Sequence, residues 1–281
     1  PTLESMIAHS DIIVTNFKSG DAEKFNLTSE VLFQINPQII HAKISGFEHQ
    51  HDRVAYDLVL QAETGMMSMN GTPESGPIKM PVAFIDLFAS HQLKEGILCA
   101  LLERHKTGRG GIVSCSLEAA AIGSLANQAS NYLMSGLVAK RQGSLHPNIA
   151  PYGEMFSCKS GEQITLAIGS DRQFADVCVM LGLENLISDD RFSTNASRLK
   201  HRIALAKVLE QAIAQIDWEP WSRELLEKRI PFGVIRSLDE VFAERQGQEW
   251  ILDEVQEGVA TKRVRTVMFR YEPSPMQQGF Q

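Results

Sequence analysis

The sequence predicts an α/β fold, and three observations carry that prediction. Short apolar runs suited to buried strands alternate with stretches of helical period through the first half of the chain. Breaks at Asn36-Pro37 and over 70–77 punctuate the alternation. With 281 residues and 43% apolar content, there is room for one large or two modest domains. Strands alternating with helices imply a parallel sheet with helical crossovers.

Residues 1–9 read as the end of a helix and 11–15 as a buried strand. Thr28 or Ser29 caps a short helix that stops at Asn36-Pro37, and 39–44 is the second strand. A helix is expected over 56–69, then a Gly/Pro-rich turn region over 70–77. Over 87–106, Leu93, Ile97, Leu98, Leu101 and Leu102 recur at helical spacing, and Gly108 supplies a left-handed stop. A strand over 112–116 and a long Ala-rich helix over 117–135 follow.

The polar stretch 136–151, with Gly143, Pro147 and Pro151, reads as a linker and candidate active-site loop. Beyond it an α+β region is expected. It holds a hairpin over 156–168 turning at Ser160-Gly161, helices over 173–181, 196–216 and 220–227, and an edge strand over 230–234. A short helix over 238–243 and a strand over 264–269 complete it. The boundaries are then 1–140 for the large domain, 141–262 for the small one, and 263–281 for a return to the first.

A net charge of −7 with no basic cluster argues against nucleic-acid binding. Cys99, Cys115, Cys158 and Cys178 lie far apart without C-x-x-C spacing and read as buried free thiols of a reducing compartment. No metal-ligand spacing and no phosphate-binding P-loop is present. There is no apolar run of about eighteen residues and no signal peptide, so no membrane span and a cytoplasmic location are expected.

Asp86 is the conspicuous residue, an acid within Pro81-Val82-Ala83-Phe84-Ile85-Asp86-Leu87-Phe88-Ala89. Folding this segment should strip water from the carboxylate, which is unfavourable unless something compensates. A place in the first turn of the following helix would compensate, because free N–H groups and the positive dipole end favour an anion there. From pattern alone, Asp86 is either a helix cap or a functional acid.

The surrounding landmarks are Asn16-Phe17-Lys18, Ser45-Gly46-Phe47, Ala55-Tyr56-Asp57, Gln61, Gly65 to Gly71, Gly108-Arg109-Gly110, His146-Pro147-Asn148 and Asp171-Arg172. In this order, from about residue 8 to about residue 270, the chain resembles the class III CoA transferase family. That family is also called the carnitine-dehydratase or bile-acid-inducible family, and it includes formyl-CoA transferase and α-methylacyl-CoA racemase. The resemblance implies a Rossmann-like large domain interrupted by a smaller one, and an interlocked homodimer. It also implies that this chain is a fragment, lacking a β-α-β-α segment before Asn16 and some of the C-terminal tail.

The resemblance further implies CoA transfer from an acyl-CoA to a carboxylate acceptor, with coenzyme A entering as substrate and no metal. Asp86 matches the family's nucleophile, which forms an acyl anhydride and then a CoA thioester. Asn16, Phe17, Lys18 and Lys24 fall in the segment that meets CoA; many members carry Arg where Lys24 stands, so bidentate phosphate geometry is lost. Arg53 and Tyr56 are further candidates for CoA, and Gln61 and His146 for the acyl group. Asp57 reads as a helix cap.

Racemase members have Gly-His-Asp where this chain has Ala55-Tyr56-Asp57, and tyrosine is a poor base at neutral pH. His49 and His51 fall in the polar loop before that helix. The glycine flap of formyl-CoA transferases is reduced here to Gly143 in 143–148. An isomerase and a non-catalytic CoA-binding protein remain the alternatives. Short dicarboxylates enter as substrates by analogy only.

Overall fold

The computed structural model describes residues 2–50 and 52–272, in two compact units, Pro1–Pro147 and Asn148–Gln281. The first is built on three parallel strands, β1 (Ile12–Thr15), β2 (Ile40–Ser45) and β3 (Gly111–Ser116), in the order β1-β2-β3. Helix α1 (Thr2–Ala8) precedes them, and α2 (Asp21–Lys24) and α3 (Ser29–Ile35) cross from β1 to β2. The second crossover is longer, with α4 (Asp57–Glu63), α5 (Met66–Met69) and the 24-residue α6 (Phe84–Thr107). Helices α7 (Leu117–Gly123) and α8 (Ala126–Ser135) follow β3.

Local chemistry sets these boundaries. The Thr28 hydroxyl accepts the Val31 N–H at the start of α3. At its end the Asn36 amide donates to the Ile7 and Ser10 carbonyls, tying α3 to α1 over a core of Ile7, Leu32 and Ile39. Helix α6 closes on Gly108 at φ 70°. It lies close against β3 at Gly96, where an added Cβ would fall 2.5 Å from a Val113 methyl.

Three expected helices are interrupted. The helix expected over 56–69 breaks at Gly65, which takes φ 89° and separates α4 from α5. That expected over 117–135 breaks between α7 and α8, where Ala126 takes φ 48°. In both cases apolar period outran a local left-handed residue. Helix α6 starts three residues earlier than expected, at Phe84.

The second unit contains an antiparallel sheet, β4 (Tyr152–Ser157), β5 (Gln163–Ala167) and β6 (Phe232–Val234), with β6 at an edge. Helices α9 (Asp171–Met180), α10 (Asn195–Lys200), α11 (Arg202–Ile213) and α12 (Trp218–Glu227) enclose a core that includes Phe156, Leu166, Phe174, Leu209 and Trp221. The helix expected over 196–216 is divided at His201. The buried Arg198 is held by the Ala150 and Phe192 carbonyls and by Asp171, with its guanidinium over the Phe174 ring.

After α13 (Leu238–Ala243) and α14 (Arg245–Gln248) comes a hairpin of β7 (Ile251–Gln256) and β8 (Val259–Val264). The strand expected over 264–269 is corrected: β8 ends at Val264, and 265–272 have no regular structure. Glu257 and Gly258, both at positive φ, make the turn that sets this register. Of the expected return over 263–281, residues 273–281 lie outside the described residues.

Cys99 is exposed on α6 rather than buried, whereas Cys158 and Cys178 are buried and Cys115 lies between. Among the described residues no helix is long and apolar enough to cross a membrane.

Gly110 lies between α6 and β3 and donates its N–H to the Pro37 carbonyl, in the turn before β2, at 2.9 Å. An added Cβ there would fall 1.9 Å from the Ile39 carbonyl oxygen, a backbone atom that cannot swing aside. Gly110→Ala is expected to destabilise the protein by about 2 kcal/mol or more, read as a lower urea midpoint.

Candidate active site

A cavity of about 1010 Å³ opens at the carboxyl ends of the parallel strands in the first unit. Thr15 of β1, Ser45 of β2, and Ser114 and Cys115 of β3 line it, as does the loop Asn16-Phe17-Lys18. In an open parallel sheet the chain must turn away from the strand ends, and the space left there admits a ligand. The second crossover delivers Arg53, Tyr56 and Asp86 to the same cavity.

Asp86 lies in the first turn of α6. Ile85 and Ala89 are fully buried, one helical turn apart, so the intervening Asp86 faces away from the core. Ile85 belongs to a cluster with Phe47, Leu60 and Ala121 that anchors the turn. Asp86 itself is exposed to the cavity rather than buried, correcting the expectation drawn from its apolar surroundings. Phe84 and Leu87 are exposed as well, because the helix turns only every fourth residue inward; Val82, in the segment before the helix, is also exposed.

Asp86 is not the cap of its helix. Asp57, the first residue of α4, accepts the Ile85 N–H on Oδ2 at 2.8 Å. Its other oxygen accepts from the Gln61 side chain. Asp57 thus caps α6 across the fold, not its own helix, and no hydrogen bond to the Asp86 carboxylate exists among the described residues. Partial desolvation by the cavity walls, and then the neighbouring Asp57 charge, push the Asp86 carboxyl above the usual Asp range.

The other candidates divide. Asn16, Phe17 and Lys18 line the cavity, with the Lys18 N–H held by Asp21 at 3.3 Å and the Phe17 ring 5.9 Å from Phe25. Tyr56 lines it and is 70% exposed, leaving its ring open to a ligand. Arg53 lines it too, but both guanidinium ends are committed to Glu63, over the Phe47 ring. An incoming anion must compete with that carboxylate.

Three candidates are not brought in. Lys24 stands on the short α2 with its ammonium 5.3 Å from the Phe25 ring centre and does not line the cavity. Gln61 is buried and structural: its amide donates to Asp57 and accepts the Met80 N–H at 2.8 Å. His146 also lies outside the cavity lining; its segment is tied to the 68–71 turn by the Gly143 N–H on the Gly71 carbonyl and by Arg141 on the Ser68 carbonyl. His49 is exposed, and His51 lies outside the described residues.

The sequence reading passed over His41 and Lys43 of β2, both cavity-lining. His41 is buried, with Nε2 2.9 Å from the Thr15 hydroxyl and Nδ1 2.9 Å from the Ser29 hydroxyl. Burial, and then the Lys43 ammonium, hold its pKa below the usual imidazole value. A histidine and a lysine inside an otherwise apolar strand were the available signal, since each needs a polar partner or an opening. Burial, then Glu48, raises the Cys115 pKa, so the cavity thiol stays protonated and weakly nucleophilic.

The raised carboxyl gives a signed stability prediction. The folded chain holds the Asp86 proton more tightly than the unfolded chain, so stability falls as pH rises from the ordinary Asp range through the raised value. Asp86→Asn should therefore raise Tm at neutral pH, with the gain vanishing below the ordinary Asp range; thermal scans across pH check it.

The description "CoA-transferase family III" matches residues 1–279 of the chain. A succinate–glutarate CoA-transferase of Agrobacterium fabrum is 33% identical over 96% of this chain and 70% of its own length. The succinyl-CoA:glutarate CoA-transferase of Mus musculus is 32% identical over 87% of this chain, which spans only 56% of that relative. Among solved structures, a CAIB/BAIF family protein from Brucella suis aligns at 36% identity and a TM-score of 0.77, covering 95% of this chain and 71% of that one. With the parallel sheet, the cavity at its strand ends and Asp86 at the α6 terminus, these likenesses lead to one conclusion: the chain belongs to CoA-transferase family III.

Proposed function

We propose that the protein transfers coenzyme A from an acyl-CoA to a carboxylate acceptor, with Asp86 as the nucleophile. The observation that carries this reading is the placement of Asp86: a carboxylate with no hydrogen-bond partner among the described residues, in the first turn of α6, facing a large cavity that Lys18, Lys43 and Arg53 also line. Membership of a CoA-transferase family supports it.

In the first step an Asp86 oxygen attacks the thioester carbonyl, the C–S bond breaks, and a mixed anhydride and CoA thiolate result. The thiolate then attacks the Asp86 carbonyl, releasing the donor carboxylate and leaving an aspartyl-CoA thioester. The acceptor carboxylate attacks that thioester to form a second anhydride and thiolate. Attack of the thiolate on the acceptor carbonyl yields the new acyl-CoA and restores Asp86. Every intermediate is hydrolysable, so exclusion of water from the cavity governs the yield.

Asn16, Phe17 and Lys18 are assigned to the CoA portion. Lys43 and Arg53 supply positive charge for its phosphates or for the acceptor carboxylate. Tyr56 stands where an isomerase of the family has its histidine base, which favours transfer over α-proton exchange. Relatives named for succinate and glutarate, for mesaconate and for oxalate support a short dicarboxylate as the acceptor class.

Pairing with a second copy belongs to the same reading. Leu87, Leu98 and Leu102 form an exposed stripe along α6, 53%, 54% and 67% exposed, which a partner would cover. Light scattering of the full protein is expected to give twice the mass of one chain; a monomer would refute the pairing.

The mechanism is tested by incubating the full protein with succinyl-CoA and other acyl-CoAs, then hydroxylamine, and mapping peptides by mass. A hydroxamate at Asp86 is expected, and Asp86→Asn should lower turnover by on the order of 10³-fold or more. Absence of any hydroxamate despite measurable CoA binding would overturn the reading.

A further inference from the structure

Gln61 is 1% exposed, and both ends of its amide are engaged. Nε2 donates to Asp57 Oδ1, and Oε1 accepts the Met80 N–H at 2.8 Å. Asp57 Oδ2 accepts the Ile85 N–H at 2.8 Å, and Ile85 immediately precedes Asp86. These contacts form a closed circuit: from the chain entering α6, through Gln61 and Asp57, back to the first turn of α6. The circuit is needed because Ala83, the residue at the α6 N-cap, offers no side-chain acceptor.

We propose that Gln61 is a positioning residue for the Asp86 nucleophile, holding Asp57 in the pose that caps the Asp86 helix; this rests on the CoA-transfer reading above. The site requires one donor and one acceptor on the same planar group. An amide offers both at every pH, a carboxyl group only while protonated, and an apolar side chain neither. Removing the amide frees Asp57 to rotate and leaves the Met80 N–H without its partner, so the first turn loses its fixed reference to the cavity.

Asp57 is also the charge that bears on Asp86. The other charged or titratable groups facing the cavity from neighbouring elements are Lys18 after β1, Glu23 on α2, Glu30 on α3, His41 and Lys43 on β2, Glu48, Asp52, Arg53 and Tyr56 in the segment before α4, and Cys115 on β3. None of them belongs to the circuit, so a change confined to Gln61 leaves them in place.

The test compares wild type with Gln61→Met and Gln61→Glu in the full protein, by acyl-CoA turnover and by hydroxamate yield at Asp86 across pH. Gln61→Met is expected to lower kcat by on the order of 10²-fold while KM for acyl-CoA stays within about twofold. Gln61→Glu carries the sharper signature. Its carboxyl group replaces the amide only when protonated, so its activity relative to wild type should recover as pH falls from about 8 to about 6. At higher pH it ionises beside Asp57 and the two like charges separate.

A Gln61→Glu profile that parallels wild type would overturn the proposal, as would a Gln61→Met enzyme with unchanged kcat. If Gln61→Met does not fold, Gln61→Glu still decides, since the shape of its pH profile is read against that of wild type. Failure of the transferase reading is separately visible, as no hydroxamate in wild type. In that case the ¹³C titration of the Asp86 carboxyl still reads the circuit, and an identical curve in Gln61→Glu would refute it.

Discussion

The hydrogen bond from the Ile85 N–H to Asp57 is the constraint on which the cavity end of the first unit depends. A helix leaves its first N–H groups without intrahelical partners, and the residue at the α6 N-cap, Ala83, has no side-chain acceptor to supply one. The acid that satisfies this need comes from the preceding crossover helix and is itself steadied by Gln61. Burial of Ile85 with Phe47, Leu60 and Ala121 fixes the turn from the opposite side. Between them these forces leave Asp86 one outcome, which is to face the cavity.

This arrangement places two carboxylates near one another, and the consequence is chemical as well as structural. The proton affinity of Asp86 is raised by the cavity walls and by the charge that caps its helix. Among the described residues no ion pair or hydrogen bond engages this carboxylate, so its oxygens stay open to the cavity. The stability lost through that partial desolvation and the neighbouring charge is a cost that no contact of the Asp86 carboxylate offsets among the described residues. The neutral His41, locked between the Thr15 and Ser29 hydroxyls, contributes in the other direction by fixing the sheet end beneath the Asn16-Phe17-Lys18 loop.

Much of the fold was legible in the chain. The cap at Thr28, the break at Asn36-Pro37, the stop at Gly108 and the hairpin turning near Ser160-Gly161 all follow from residues with strong local preferences. The expected long helices failed at Gly65, Ala126 and His201, where one residue's conformation overrode a continuing apolar period. The hairpin of β7 and β8 was missed because its strands are largely exposed and carry little alternation to read.

For the site, local period alone placed Asp86 at the opening of a long helix, and the company of Asn16-Phe17-Lys18, Arg53 and Tyr56 followed from the resemblance to a known family that the order of short motifs carries. Only the tertiary structure decided that Asp57 caps α6 and that Gln61 is spent on Asp57 and Met80. It alone placed Lys24 and His146 away from the cavity and drew His41 and Lys43 into its wall. The physical reason is range: helix starts, stops and turns are settled by neighbours within a few residues. The partner of a hydrogen bond, and whether a charge meets solvent, cavity or core, depend on segments that meet only when the sheet closes.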